Sequence, residues 1–168
     1  MADESGLPAR EQQGNAHERE QPATHPSHPA HGAALAQHRC DAGHAAGAAG
    51  ITVANKATSI YANYLESKEK IKLELFMEVA ARAEAQQTQE PKNANAFYWQ
   101  AYALGRYGQG ISVAKALAQG LGSKIKQALE QAIKLQPQHA DAHIALAAFH
   151  AEVIDKVGSL IGGMTYGA

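Results

Sequence analysis

The chain is poor in cysteine and in long apolar runs. Its only cysteine among 168 residues is Cys40, so an internal disulfide cannot form. The first residues, Met-Ala-Asp-Glu-Ser-Gly, contain neither the basic nor the apolar segment of a secretory signal. A membrane-spanning helix needs about 18–20 apolar residues, and Lys115 and Lys124 interrupt the nearest candidate, residues 111–125. We therefore expect a cytoplasmic protein without a membrane span.

An excess of charge of one sign is also missing. The formal net charge is −1, and charged residues make up 18% of the chain. A nucleic-acid-binding domain usually carries a marked basic excess on one face, and so does a protein that binds anionic membranes. The sequence therefore predicts no nucleic-acid partner.

Catalytic and nucleotide-binding motifs are absent as well. The glycines of residues 105–110 follow a predicted helix, whereas the dinucleotide-binding fingerprint requires a preceding strand. His143 and His150 fall on a predicted apolar helix face, with no serine or cysteine nearby that could act as a nucleophile. The preferred interpretation of both histidines is packing. We predict a non-catalytic protein without a cofactor.

Residues 1–50 are rich in His, Pro, Ala and Gly, with few large aliphatic residues. Such a segment buries too little surface to offset its ordering entropy, so we expect a disordered tail and linker. His25, His28 and His31 recur every third residue, which in a polyproline II helix would place them along one edge. They are weak candidates for binding Ni²⁺, Cu²⁺ or Zn²⁺. A solvated tail is the preferred alternative, so no metal site is predicted.

Residues 51–168 show the periodicity of α-helices separated by Gly, Pro and Ser. Predicted helices cover about 54–66, 68–89, 93–107, 111–118, 124–135 and 140–157. Ser67 and Ser123 are expected to cap the helices that follow them. The apolar side of the first helix is expected to contain Ile60, Tyr61, Tyr64 and Leu65. Those of the second and fifth are expected to contain Ile71, Leu75, Val79 and Ala83, and Ile125, Leu129, Ala132 and Ile133, respectively. That of the last is expected to contain His143, Leu146, Ala147, His150, Val153, Ile154 and Val157.

Two similar segments, 90–97 and 136–143, repeat with an offset of 46 residues between their prolines. Leu129, Ala132 and Pro137 have the spacing of the second helix of a tetratricopeptide repeat, which the chain resembles. The usual period of that family is 34 residues, so this would be a long-hairpin variant. It is similar to the T component of bacterial tripartite ATP-independent transporters and to regulator-of-microtubule-dynamics proteins. The resemblance implies an all-α fold of antiparallel helical hairpins, stacked as a short solenoid.

A candidate binding edge follows from this resemblance. Tyr98, Tyr102 and Arg106 lie one helical turn apart, and the repeat alignment adds Asn95 and Asp141. In the tetratricopeptide family such positions line a concave groove that binds peptides, and Tyr and Arg are frequent at binding hot spots. Ordinary hairpin packing is the alternative role. The resemblance implies a protein- or peptide-binding scaffold, or alternatively an accessory ligand-handling subunit associated with a solute transporter.

The repeat offset also predicts an open C-terminal end. The partner helix of the last hairpin would begin just after Ala168. The domain 51–168 is therefore expected to be incomplete at that end, with Leu146, Val153 and Val157 short of a covering helix. Self-association through this open face is one expected consequence.

Overall fold

The computed structural model describes residues 47–167, and in that range it contains seven α-helices and no strand. The helices are α1 (Gly47–Tyr64), α2 (Glu69–Gln89), α3 (Ala94–Gln109), α4 (Val113–Ala118), α5 (Leu121–Leu135), α6 (Ala140–Val157) and α7 (Ser159–Tyr166). The prediction of an all-α fold is confirmed. The predicted disordered tail lies outside the described residues, except that residues 47–50 form the first turn of α1 instead of a linker.

Each long helix packs mainly on its neighbours in sequence. The most extensive contacts join α1 to α2, α2 to α3, α3 to α5 and α5 to α6. Short connections between neighbouring helices favour antiparallel hairpins. In chain order, α1 and α2 form one pair of long helices in contact, α3 and α5 form a second pair, and α6 follows.

The repeat seen in the sequence also holds for the helices. Ala140, where α6 begins, follows Ala94, where α3 begins, by 46 residues, and the starts of α7 and α4 have the same offset. Both long helices have a side-chain cap. Asn93 Oδ1 accepts from the Asn95 N–H at 3.1 Å, and His139 Nδ1 accepts from the Ala142 N–H at 3.2 Å.

The main core lies between α2, α3, α5 and α6. It combines a few large aliphatic side chains, such as Val79 and Leu129, with many alanines, such as Ala101 and Ala103. Small side chains let helix backbones approach closely, and so the interior is filled without large residues on every helix. The predicted apolar sides of α2 and α5 are confirmed, because Leu75, Val79 and Ala83 are buried, as are Ile125, Leu129 and Ala132.

The predicted apolar side of the first helix is wrong for three of its four residues, whereas the fourth, Tyr61, packs against the cluster of Leu75 and Phe76. Ile60, Tyr64 and Leu65 are exposed, and the helix begins seven residues before the predicted start. The buried side of α1 is small and partly polar: Ile51, Ala54, Asn55, Thr58, Ser59 and Ala62. Small side chains prevail here because α2 packs on this side, and part of the polarity is satisfied by Arg82, which donates to Asn55 Oδ1 at 3.0 Å.

Both predicted serine caps are wrong. The residue that precedes α2 is Lys68, whose N–H donates to Glu66 Oε1 at 2.8 Å, so Ser67 does not cap the helix. The residue that precedes α5 is Gly120, with a left-handed φ of 63°, which suits glycine. The helix therefore begins before Ser123, and its first residue, Leu121, becomes part of the core.

The predicted apolar side of α6 is rotated from the observed one. Ala142 and Phe149, which were not predicted, are its buried residues, while the predicted His143, Ala147 and Ile154 are exposed. The rotation arises because α6 packs against α5 and α7. Leu146, Val153 and Val157, expected to be short of cover, are half-buried, and the first two pack against the main core.

Candidate functional site

A groove of about 440 Å³ runs between α3 and α6, and we call it the α3–α6 groove. Its walls come from these two helices, and its floor comes from α4, α5 and the end of α7. The lining residues on α3, and just after it, are Tyr98, Ala101, Tyr102, Gly105, Arg106, Gly108, Gln109 and Ile111; those on α4 are Val113, Ala116 and Leu117. Those on α5 are Leu121, Gly122, Ile125 and Leu129; those on α6 and α7 are Asp141, Ile144, Ala145, Ala148, Phe149, Glu152, Val153, Lys156, Val157 and Tyr166.

The structure brings four of the five predicted edge residues to this groove: Tyr98, Tyr102, Arg106 and Asp141. Asn95 does not line it. Its Oδ1 lies 3.2 Å from His139 Nε2. Because His139 Nδ1 accepts from a backbone N–H, Nε2 carries the proton and donates to Asn95. Asn95 therefore ties the start of α3 to the start of α6.

An aromatic cluster packs around Tyr98 on the α3 wall of the groove. The ring centroid of Tyr98 lies 5.1 Å from that of His139, 5.2 Å from that of Trp99 and 6.1 Å from that of Tyr102. Aromatic pairs at such separations add to the stabilisation given by burial alone. Contacts within the chain thus hold the Tyr98 ring in place.

Polar side chains from other helices position the edge residues, and these side chains were not predicted from the sequence. Asn63 of α1 donates through Nδ2 to the Tyr102 hydroxyl at 2.8 Å and accepts at Oδ1 from Arg106 Nε at 2.8 Å. At the other wall, Gln109 Nε2 donates to Glu152 Oε1 at 2.6 Å, which joins α3 to α6. No local sequence pattern marks either contact, because the partners are about 40 residues apart and polar residues are common on exposed helix faces.

The floor is apolar and closely packed. The rings of Phe149 and Tyr166 meet edge to face, with centroids 5.7 Å apart. Tyr166 lies directly on Gly122 of α5, where an added Cβ would come within 2.6 Å of the Tyr166 hydroxyl. The absence of a side chain at Gly122 therefore lets α7 close the end of the groove.

The rim combines exposed apolar side chains with charges of both signs. Ile144 of α6 and Leu117 of α4 are both exposed. Arg106 and Lys156 supply positive charge, and Asp141 and Glu152 supply negative charge. An apolar floor with a few polar groups at the rim is typical of a binding site, and mixed charge favours no highly charged polyion.

Burial raises the pKa of the Tyr98 hydroxyl to about 12, and the Asp141 carboxylate and Tyr102 contribute in the same direction. At neutral pH this hydroxyl therefore keeps its proton. It can donate a hydrogen bond to a ligand but cannot act as a base.

The raised pKa of Tyr98 predicts a loss of stability in alkaline solution. A tyrosine in the unfolded chain ionises near its ordinary pKa of 10.0, whereas folded Tyr98 holds its proton to about 12. Between these pH values the unfolded state binds fewer protons, so the free energy of unfolding falls as the pH rises. In Tyr98→Phe we expect a flatter fall of Tm from about pH 9.5 to 11.5 than in the unchanged chain. Equal slopes would contradict the assignment, and Tyr64→Phe, at an exposed site, is the matched control.

A metal-binding cluster is absent from residues 47–167, because no group of three His, Cys, Asp or Glu side chains in that range is placed to hold a metal ion. No helix there combines the length and the hydropathy that crossing a membrane would require. His25, His28 and His31, the weak candidates for metal binding, lie outside the described residues.

Comparison with known proteins gives one match. A family model described as regulator of microtubule dynamics protein 1-3 matches residues 50–156, which span α1 almost entirely and continue to the last turn of α6. Neither a curated protein nor a solved structure matches the chain. The matched segment covers well over half of the chain and includes both walls of the α3–α6 groove. The chain belongs to the regulator of microtubule dynamics protein 1-3 family.

Proposed function

We propose that this chain is a non-catalytic, protein- or peptide-binding helical-repeat protein, and that the α3–α6 groove holds the partner. The observation that supports this most strongly is the make-up of the groove. A preorganised aromatic and arginine edge, formed by Tyr98, Tyr102 and Arg106, stands beside an apolar floor and exposed aliphatic side chains at the rim. Such anchors surrounded by polar groups are characteristic of protein-binding hot spots.

The successive hairpins support a tetratricopeptide-like interpretation of the fold. The repeat of 46 residues in helix starts and helix caps supports the assignment of α3 and α6 as equivalent helices of adjacent units. In a tetratricopeptide-like array, such equivalent helices line the concave surface. The proposed groove lies between them, which is the place that this interpretation requires.

The family description refers to microtubule dynamics. We therefore propose a protein of the microtubule system as the first partner to test. Co-sedimentation of the full chain with assembled microtubules tests direct binding. The predicted cytoplasmic location agrees with such a partner and stays a prediction.

Selection of peptides from a random library tests whether the groove binds peptides at all. We expect peptides selected on the full chain to bind with micromolar dissociation constants. We expect Tyr98→Ala to weaken them about tenfold or more, as for a hot-spot residue, and Arg106→Ala to weaken them less. Tyr64→Ala removes an exposed tyrosine that does not line the groove and is the matched control. Selected peptides that bind Tyr98→Ala and the unchanged chain equally would contradict the proposal.

A small apolar ligand is the second candidate occupant. Pockets for small ligands have volumes of about 300–1,000 Å³, and the groove, at about 440 Å³, lies in that range. This volume favours the alternative of a ligand-handling subunit associated with a solute transporter. Two experiments together separate the two functions. In a groove that serves a small ligand, binding of a selected peptide would displace that ligand. Photo-cross-linking from the groove in cells would nevertheless give no polypeptide adducts.

A further inference from the structure

The ring of Tyr166, on α7, lies on other residues that line the α3–α6 groove. Its centroid is 5.7 Å from that of Phe149, with the two ring planes 84° apart. An added Cβ on Gly122 would come within 2.6 Å of both Cζ and the hydroxyl of Tyr166. Gly122 and Phe149 themselves line the groove. We call the surface that these two residues form under the ring the ring subsite.

The ring subsite suits an aromatic side chain. Phe149 meets the bound ring edge to face, which is a preferred arrangement of aromatic pairs. Gly122 has no side chain, so the far end of the ring fits directly against α5. An aromatic residue of a partner finds the same contacts if Tyr166 leaves them.

The contact of α7 with the ring subsite depends on Tyr166. The helix contacts α6, which precedes it, and α5. Among the α7 residues whose side chains the structure describes, Gly162 and Tyr166 are buried, one helical turn apart. Ile161 and Met164, in contrast, are 57% and 81% exposed. Tyr166 is therefore the only large side chain in this set that holds α7 on the floor of the groove.

The connection between α6 and α7 is a single glycine. The helix α6 ends at Val157 and α7 begins at Ser159, and Gly158 between them has a φ of 84° and a ψ of 155°. Glycine adopts such a conformation without the steric cost that a side chain would add. A change in the backbone angles of Gly158 can redirect α7 without unwinding α6.

The preceding unit of the repeat has no such ring. The helix equivalent to α7, 46 residues earlier, is α4, and none of its residues is buried. The residue equivalent to Tyr166 is Gly120. The insertion of Tyr166 is therefore an addition to the packing that the two units share.

We propose that α7 is an autoinhibitory element of the α3–α6 groove: Tyr166 fills the ring subsite until an aromatic side chain of the partner replaces it. This inference rests on the proposed function, because it names the side chain with which a peptide partner enters the groove. Only molecules with a vacant ring subsite bind the partner fully, so Tyr166 lowers the apparent affinity by the fraction of such molecules.

The test uses peptides selected from a random library on the full-length Tyr166→Ala variant, in which the ring subsite is free. We expect the selected peptides to share an aromatic residue, and to bind the unchanged chain about tenfold more weakly than Tyr166→Ala. Replacing that aromatic residue with alanine should abolish the difference between the two chains. Met164→Ala, at an exposed position of the same helix, is the matched control and should bind like the unchanged chain.

Hydrogen exchange on the unchanged chain provides a second measurement. When such a peptide binds, we expect the amides of α7 to exchange faster, because Tyr166 leaves the ring subsite, and those of α6 to exchange more slowly. Far-UV circular dichroism shows whether Tyr166→Ala keeps its helices. Tyr166→Leu, which keeps an apolar side chain at this position, is the second variant and should also bind the peptides more tightly than the unchanged chain does.

Three outcomes would overturn the autoinhibitory role. They are equal binding to the unchanged chain and to both Tyr166 variants, selected peptides without a shared aromatic residue, and peptide binding that leaves exchange in α7 unchanged or slower. Peptides that bind all these chains equally but lose affinity on Tyr98→Ala would leave the proposed function of the groove intact. If neither the unchanged chain nor Tyr166→Ala selected any peptide, both proposals would fail.

Discussion

Replacing Leu129 with alanine is expected to lower the free energy of unfolding by about 2–5 kcal/mol. Leu129 is 1% exposed and lies in the core between α3, α5 and α6. The loss combines the transfer free energy of the removed atoms with the cost of the cavity that remains. It should be large here because α5 is held on two sides and cannot collapse into the space. Chemical denaturation of the full chain, followed by far-UV circular dichroism, measures it.

The matched control is Leu65→Ala, because Leu65 is 71% exposed at the end of α1. A substitution at such a site usually changes stability by less than about 0.5 kcal/mol. Similar losses for the two variants would mean that α5 is not the central core helix.

Replacing Arg82 with alanine is expected to lower the free energy of unfolding by about 2–3 kcal/mol, since it removes a buried guanidinium together with its hydrogen bond to the buried Asn55. The Arg82 side chain is 5% exposed, forms an ion pair with Glu78 and donates to Asn55 of α1. Without it, Asn55 loses its donor in a buried position, and an unsatisfied buried polar group destabilises the fold. Because this contact joins α1 to α2, amide exchange should accelerate in α1 more than in α5.

Arg106→Ala is the comparison for that result. Arg106 also donates to an asparagine of α1, Asn63, but its side chain is exposed. Exposed polar contacts contribute about 1 kcal/mol or less. If Arg106→Ala were as destabilising as Arg82→Ala, the edge of the groove would be a structural support and not a free binding surface.

The sequence predicted a helix best where regularly spaced large apolar residues are followed by a helix-breaking residue such as proline. In α5, Ile125, Leu129 and Ala132 share one side, and Pro137 follows closely, so both its buried side and its end were predicted. In α1 the rule failed, because the buried side is made of Ala54, Thr58 and other small residues that carry little periodic signal. Helices that approach closely need small side chains, and then the large residues face outwards.

The exposed side of α6 shows a different limit of sequence reasoning. His143, Ala147 and Ile154 have the spacing of a core stripe, and the residues 46 positions earlier on α3 are indeed buried or half-buried. The spacing of apolar residues shows which side of a helix can pack, whereas burial of that side depends on whether a neighbouring helix lies against it. A single-sequence pattern cannot distinguish the two situations.

The candidate site was predicted in part for a similar reason. The alignment of Tyr98, Tyr102 and Arg106 along one helix edge follows from helical spacing, and its assignment to a groove follows from the family resemblance, so this edge was visible in the sequence. Asn63 contacts this edge, and Glu152 contacts the neighbouring Gln109. Both contacts join different helices, so they depend on the packing of the whole domain and could not be predicted from local sequence.

Site-specific photo-cross-linking tests the central claim, that the α3–α6 groove holds a protein partner. A photoreactive amino acid is placed at Ile144 in the groove or at Val53 on α1, and both native side chains are 67% exposed. The account predicts discrete polypeptide adducts in cells from position 144, reduced by Tyr98→Ala, and none of the same mass from position 53. Equal adducts from both positions, or none from position 144, would contradict it.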